Sequence, residues 1–269
     1  MTPLVLTLHQ RPAQRLDLSP LVPHLLAGKS AMAIAQIELQ TTRMRVTVGD
    51  AFRLRMGDAQ HIRIEGACDR LDRVGAGLSA GAIEVAGDVG IQAGRQMTGG
   101  RLVIRGSAGH WTASGMKGGE IEITGSAGDF IGGPLAGEVV GMRGGLVIVR
   151  GNVGAQAADR LRRGMIIVEG DAGEYAGSRM IAGTLIIRRK AGALPGYLMK
   201  RGTIVLGEGA LSPTFADCGV HRLVAMRLVA GYLKPYSKPV SALLRGPLRR
   251  FAGDMAVLGN GEIFFGNES

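Results

Sequence analysis

The chain has 269 residues, 46% hydrophobic and 20% charged, which suits one large or two small folded domains and excludes a disordered chain. Glycine is the anomaly, at 44 residues against 10 prolines, so tight turns must recur at set places. Two distant cysteines exclude a disulfide framework; a net charge of +10 favours acidic or polyanionic partners, and 4% aromatic residues weakens any base-stacking role.

The amino-terminal MTPLVLTLHQRP has neither the basic start nor the apolar stretch of a signal peptide, and no run reaches the ~18 apolar residues of a membrane span. A cytoplasmic protein is expected, with no membrane and no nucleic acid among its partners. Residues 1–60 are read as an N-terminal capping region rich in short strands: VLTLHQ, AIAQIELQ, MRVTVG and AFRLRMG. Ser19-Pro20 is expected to open a short helix that ends near Gly28.

From 61 to 209 the chain is a glycine repeat. HIRIEG (61–66) resembles a degenerate first unit. The opening glycines then fall at Gly81, Gly100, Gly119, Gly145, Gly164, Gly183 and Gly202, every 19 residues apart from one spacing of 26. Each unit follows G-x-[LIV]-x-[LIV]-x-G-x-x-G-x-x-x-[GA]; Arg189 departs from it after the sixth strand, and Ala113 and Ala158 replace the glycine that the other units have at the last position. Positions 2 and 4 after the opening glycine are aliphatic in every unit, from Ile83/Val85 to Ile204/Leu206. Because a strand alternates its side chains between faces, this column predicts a dry interior. Val89, Ala108, Ala127, Val153, Ala172 and Ala191 form a small-residue column suited to an inside corner. Met97, Met116, Met142, Leu161, Met180 and Met199 form a ladder read as adaptable core filler, not a sulfur metal site. The fold class expected is all-β: a right-handed parallel β-helix of about 19 residues per coil, with a small N-terminal cap and a C-terminal helix.

Residues 210–269 form the C-terminal part. Val220, Leu223, Val224 and Leu228 make a helical stripe that stops near Gly231 and Pro235, followed by a basic segment (243–254) and a final strand, GEIFFGN.

No chemistry-bearing constellation emerges. The five histidines are scattered, His110 reads as a turn residue beside Trp111, and no GxSxG, GxxxxGK[ST] or HExxH occurs. GAGLSAG (75–81) precedes a strand instead of opening a helix, and so lacks the means to hold phosphate. Glu120 and Glu122 read as a solvated or partner-facing edge. No catalytic residue and no metal ligand is assigned.

Two surfaces stand out. Val103, Leu146, Ile148, Met165, Ile167, Ile186 and Val205 occupy outward strand positions, an apolar face assigned to a partner protein in preference to the chain's own termini. Lys117, Arg143, Arg162 and Lys200 recur two residues before the opening glycines, with Arg163 and Arg201 adjacent and Arg160 and Arg179 nearby. Stacked, they form either a solvated edge that resists aggregation or, on the sharper reading, an anion-tracking strip. The insertion within GGPLAGEVVG (132–141) is a candidate contact loop.

The repeated GxxGxxxG, followed by RRFAGD (249–254) and GNGEIFF (259–265), resembles the C-subunit of formylmethanofuran dehydrogenase over roughly residues 60–265. The periodicity alone is shared with the tail domain of glutamate synthase. The resemblance implies a non-catalytic structural subunit in a C1-transfer complex, with the chemistry on other subunits. The arginine- and alanine-rich composition favours the bacterial setting, a formyltransferase/hydrolase complex. There the complex transfers formyl between tetrahydromethanopterin and a methanofuran-type carrier and releases formate. The alternatives are the tungsten or molybdenum dehydrogenase of methanogens and a glutamate-synthase-type structural domain. Since the family's carriers bear glutamate-containing tails, the resemblance implies that Lys117, Arg143, Arg162, Arg163, Lys200 and Arg201 could hold an anionic carrier or an acidic subunit. No cofactor is otherwise assigned to the chain.

Overall fold

The computed structural model describes residues 2–41 and 44–266; Asn267, the last residue of the expected final strand, lies outside them. In chain order the first elements are β1 (Pro3–Leu8), β2 (Leu16–Asp17), α1 (Pro23–Leu26), α2 (Ala31–Ala35), β3 (Glu38–Leu39), β4 (Val46–Thr47), α3 (Val48–Ala51) and β5 (Phe52–Arg55). The repeat contributes β6 (Asp58–Ala67), β7 (Leu71–Asp72), β8 (Ala82–Gly87), β9 (Arg101–Ile104), β10 (Glu120–Ile123), β11 (Arg143–Val149), β12 (Arg163–Val168), β13 (Thr184–Ala193) and β14 (Arg201–Ala210). After it come β15 (Ala216–His221), α4 (Val224–Leu233), α5 (Lys238–Leu243), β16 (Leu248–Gly253) and β17 (Asn260–Gly266).

The chain is mostly β, dominated by one 13-stranded sheet in the order β15-β16-β17-β14-β13-β12-β11-β10-β9-β8-β6-β1-β5. Pairing is parallel from β1 to β17 and antiparallel only at the ends, β1 with β5 and β15–β16–β17. The aliphatic column sets the register: Ile62, Ile83, Leu102, Ile121, Val147, Ile166, Leu185, Ile204 and Ile263 lie side by side on successive strands. All nine are at most 2% exposed.

Two further lines of backbone pairing repeat at the same interval. The small-residue column forms parallel bridges Val89–Ala108–Ala127–Val153–Ala172–Ala191. Farther along each unit, the amides of Gly94, Ala113, Gly132, Ala158, Gly177 and Gly196 donate to the carbonyls of Val74, Ala93, Thr112, Ile131, Ala157 and Ala176. Each unit therefore returns one step along the stack and satisfies its backbone against its neighbours, which is how a chain with so little helix buries its polar groups. The methionine ladder, including Leu161, is wholly buried among these lines, as core filler requires.

The opening glycines are required by both shape and space. Gly164 has φ +95°, and a Cβ there would sit 2.8 Å from the Gly145 carbonyl oxygen of the preceding unit. Arg189 departs from the pattern within β13, at an irregular stretch where the pairing with β14 shifts register between Ile187 and Lys190.

Next to the small-residue column runs a side-chain ladder. Asp88 accepts from the Ser107 amide, Ser107 from Ser126, Ser126 from Asn152, Asn152 from Asp171, and Asp171 from Lys190, at 2.7–3.2 Å. Short polar side chains at this column hold the corner of one unit to the next.

The N-terminal region departs from the expected strands. AIAQIELQ divides into α2 and β3 because the Ser30 hydroxyl accepts the Ala33 amide and starts a helix. MRVTVG gives way to α3, opened by a reciprocal Thr47–Asp50 capping box. The expected helix after Ser19-Pro20 begins only at Pro23 and ends before Gly28, whose φ is +73°.

The apolar strand face is covered by the chain itself. Leu146, Ile148, Ile167, Ile186 and Val205 form a second core with Met226, Ala230 and Leu233 of α4, Val240 and Leu243 of α5, and Leu244, Leu248 and Phe264. This corrects the assignment of that face to a partner. It also corrects the helical stripe: α4 buries Met226, Ala230 and Leu233, while Val220, Val224 and Leu228 are exposed. An amphipathic pattern locates a face but does not say which neighbour claims it, and in α4 both sides carry apolar residues.

Candidate functional site

The basic turn sits where consecutive units stack. The amide of Lys117 donates to the Met97 carbonyl (2.7 Å), Arg143 to Met116 (2.6 Å), Arg162 to Met142 (3.0 Å) and Lys200 to Met180 (2.8 Å). Lys117, Arg143 and Arg162 therefore occupy three successive steps, with Arg163 paired in register to Arg143 across β11 and β12. The next step holds Ile181, whose amide donates to Leu161, so Lys200 and Arg201 form a separate pair beyond it. The structure thus divides the six residues into a group of four and a group of two. All six are exposed, and none has a side-chain hydrogen bond or ion pair among the described residues. Strands about 5 Å apart bring these like charges near one another, a repulsion that a bound anion would relieve, and Arg143 also acts on the Glu138 carboxylate of the insertion.

The neighbouring arginines are already engaged. Arg179 donates from Nε and Nη2 to both oxygens of Asp159 at 2.9 Å, and Asp159 is 2% exposed. Ser178 Oγ donates to the same carboxylate (2.8 Å). Arg95 pairs with Glu138 (2.8 Å), and Arg160 donates to the Glu138 carbonyl (3.0 Å). Glu138 belongs to the 132–141 insertion and also accepts the Leu135 amide. The Arg95 hydrogen bond holds its carboxyl below the usual carboxylate range, against a smaller opposing effect of burial. The insertion is therefore strapped down at Glu138, while Val139 beside it stands 76% exposed.

Glu120 and Glu122 are network residues. Burial pushes the Glu122 carboxyl up, but Arg150 and Arg101 outweigh it and hold the group below its ordinary value. Arg150 reaches Glu122 (2.8 Å), Glu169 (2.6 Å) and the carbonyl of Tyr236 (2.7 Å). His110 accepts the Asp129 amide at Nδ1 (2.9 Å), while Trp111 stacks on Phe130 at 5.4 Å. No group of three His, Cys, Asp or Glu side chains suited to a metal occurs among the described residues. No helix there is long and apolar enough to cross a membrane.

The RRFAGD motif is explained by packing. Arg250 pairs with Glu262 (2.6 Å), Phe251 meets Phe265 edge-on, and the Asp254 carboxylate accepts the amides of Leu198 (3.0 Å) and Ala256 (2.9 Å). The motif fastens the C-terminal strands to the end of the stack.

A chain in the X-ray crystal structure of the formyltransferase/hydrolase complex (FhcABCD) from Methylorubrum extorquens, in complex with methylofuran, superposes with a TM-score of 0.94. The match covers 98% of this chain and 100% of that one, at 42% identity. A curated relative from the same organism, the C-subunit of the formyltransferase/hydrolase complex Fhc, is 43% identical over 77 residues. This chain belongs to the Fhc C-subunit family. The curated alignment spans 29% of each chain, whereas the structural one runs end to end. No family model matches. For a member of the Fhc C-subunit family, the RRFAGD tail and the glycine units sit in one continuous sheet, so the two parts of the sequence resemblance are physically joined.

The sequence-based expectations left open whether the C-terminal helix packs on the repeat or against a partner and named the basic segment 243–254, but did not single out the outer side of α4 with Arg222, Arg227 and Arg245. A signal was present, since residues 218–253 contain no Asp or Glu and seven Lys or Arg.

Proposed function

We propose that the chain is the structural, non-catalytic subunit of a cytoplasmic formyltransferase/hydrolase complex. That assembly moves a formyl group between tetrahydromethanopterin and a methanofuran-type carrier and releases formate. The observation that carries this reading is the end-to-end superposition on a chain of FhcABCD at 42% identity. It supports this setting over a tungsten or molybdenum dehydrogenase or a glutamate-synthase-type domain. The three lines of unit-to-unit pairing support a right-handed parallel β-helix over 61–209, capped by 1–60 and braced by 210–269. Glu122, Glu138 and Asp254 are each held below their ordinary values by partners within the fold, Arg150 and Arg101, Arg95, and Thr214 with two backbone amides, as structural contacts would hold them.

Within this reading, Lys117, Arg143, Arg162, Arg163, Lys200 and Arg201 contact the anionic tail of the carrier or an acidic subunit. Formyl-transfer and hydrolysis assays on the complex with and without this chain, and on the chain alone, test the role. Co-elution with catalytic subunits and no turnover by the isolated chain are expected; turnover by the chain alone refutes the scaffold reading. Charge reversal at Arg162, Arg163, Lys200 and Arg201 tests the strip. Unchanged carrier affinity together with unchanged assembly rejects it.

A further inference from the structure

Helix α4 has two apolar faces: one is buried against the strands, and the other is exposed, with only Tyr232 at its end meeting another ring of the chain, that of Tyr236 at 5.7 Å, among the described residues. Met226, Ala230 and Leu233 are buried against the strands, whereas Val224, Leu228 and Tyr232, at i, i+4 and i+8 on the other side, are 70%, 70% and 56% exposed. Isolated exposed apolar residues are ordinary, but a stripe two turns long on one helix face is a binding pattern.

Charge narrows what binds. Arg222, Arg227 and Arg245 join Val224 and Leu228 around a concavity of about 800 Å³. None of the three guanidinium groups has a side-chain hydrogen bond or ion pair among the described residues. Among the described residues, the acids that pair with this segment come from outside it and reach two neighbours: Asp217 pairs with Arg249 (2.5 Å) and Glu262 with Arg250 (2.6 Å). Guanidinium groups bind carboxylates in a planar, two-point fashion, and a concave site admits a protruding side chain where a flat bilayer would leave it unfilled.

We propose that the outer face of α4 docks an acidic, amphipathic segment of a partner protein. The segment lays apolar side chains at helical spacing on Val224, Leu228 and Tyr232 and places carboxylates on Arg222, Arg227 and Arg245. The inference rests on the chain being a subunit of a larger complex and names the surface and chemistry of one contact.

The test uses the whole complex, purified through a tag on this chain. A photoreactive residue replacing Leu228 should cross-link to a partner peptide in which acidic residues flank apolar ones; a cross-linked peptide without acidic residues overturns the proposal. The variant R222E/R227E/R245E should recover that partner at least about tenfold less well, with an unchanged thermal midpoint for the isolated chain. Should the triple reversal fail to fold, Leu228→Ser at this exposed position gives the same readout. Undiminished recovery with a folded variant overturns the docking face alone. Failure of the wild-type chain to co-elute with any subunit overturns the complex reading instead. Sedimentation with phosphatidylserine vesicles that the charge reversal abolishes would assign the face to an anionic membrane and overturn the protein partner.

Discussion

Arg150, on the turn that follows β11, donates from Nη1 to the carbonyl oxygen of Tyr236 at 2.7 Å, joining the middle of the strand stack to the linker between α4 and α5 across 86 positions of sequence. The same guanidinium contacts Glu122 on the preceding strand and Glu169 at the end of the following one. One side chain thus ties three successive units to the helical cover, and burial weakens its charge less than the two carboxylates strengthen it.

Replacing Arg150 by Met should therefore loosen the cover as well as remove an ion pair. A loss of about 1–3 kcal/mol is expected, discounted from a fully buried pair because Arg150 is partly exposed. Amide exchange in residues 224–243 should accelerate more than exchange in β9 or β10. Uniform acceleration would show that Arg150 does not anchor the helices.

The covered face makes a sharp contrast with the uncovered one. Ile167 is fully buried beneath α4 and α5, so Ile167→Ala should cost about 2–5 kcal/mol in a denaturant titration. Val224→Ala, on the exposed side of α4, should change stability by less than about 0.5 kcal/mol. A small effect at Ile167 would mean that the helices do not seat on the strands in solution.

Gly164→Ala should destabilise by at least about 2 kcal/mol, since it forces an L side chain into φ +95° and sets a Cβ against backbone 2.8 Å away. Gly137, also at positive φ but with open space around it, should tolerate alanine at the cost of the conformational term alone, about 1 kcal/mol. Comparing the two thermal midpoints separates clash from conformation.

Asp254 carries a pH signature. Burial pushes its carboxyl up, but Thr214 and the amides of Ala256 and Leu198 outweigh that, so the folded value lies below the unfolded one. Its contribution to stability is present above an unfolded value of about 3.9 and disappears as pH falls through the folded value. The stability gap between wild type and Asp254→Asn should be largest near neutral pH and should shrink below about pH 4. A gap that widens on acidification would contradict this assignment.

The interior of this protein is legible because its period is rigid. A parallel stack must present the same small or aliphatic residue at each step, so the columns from Ile83 to Ile204 and from Val89 to Ala191 appear in the sequence at one interval. The polar column Asp88, Ser107, Ser126, Asn152 and Asp171 was equally visible at that interval. Its meaning was not, because a short polar side chain serves a solvated turn as readily as a cross-unit hydrogen bond. In the N-terminal region, where no period applies, local capping by Ser30 and by Thr47 with Asp50 decided between helix and strand.

The outward side followed different rules. The strand pattern marked Leu146, Ile148, Ile167 and Ile186 as apolar and outward, but whether a partner or the chain's own helices covered them depended on contacts with residues far along the chain, such as Met226 and Phe264. The basic turn likewise recurred in sequence, with Ile181 filling its place before Gly183, and stacking the units turns that gap into the separation of Lys200 and Arg201 from the other four. Repetition along the chain encodes the stack, because each unit meets its neighbour under identical geometry. What covers that stack is settled by non-repeating, long-range packing of α4 and α5, for which sequence spacing carries no geometric constraint.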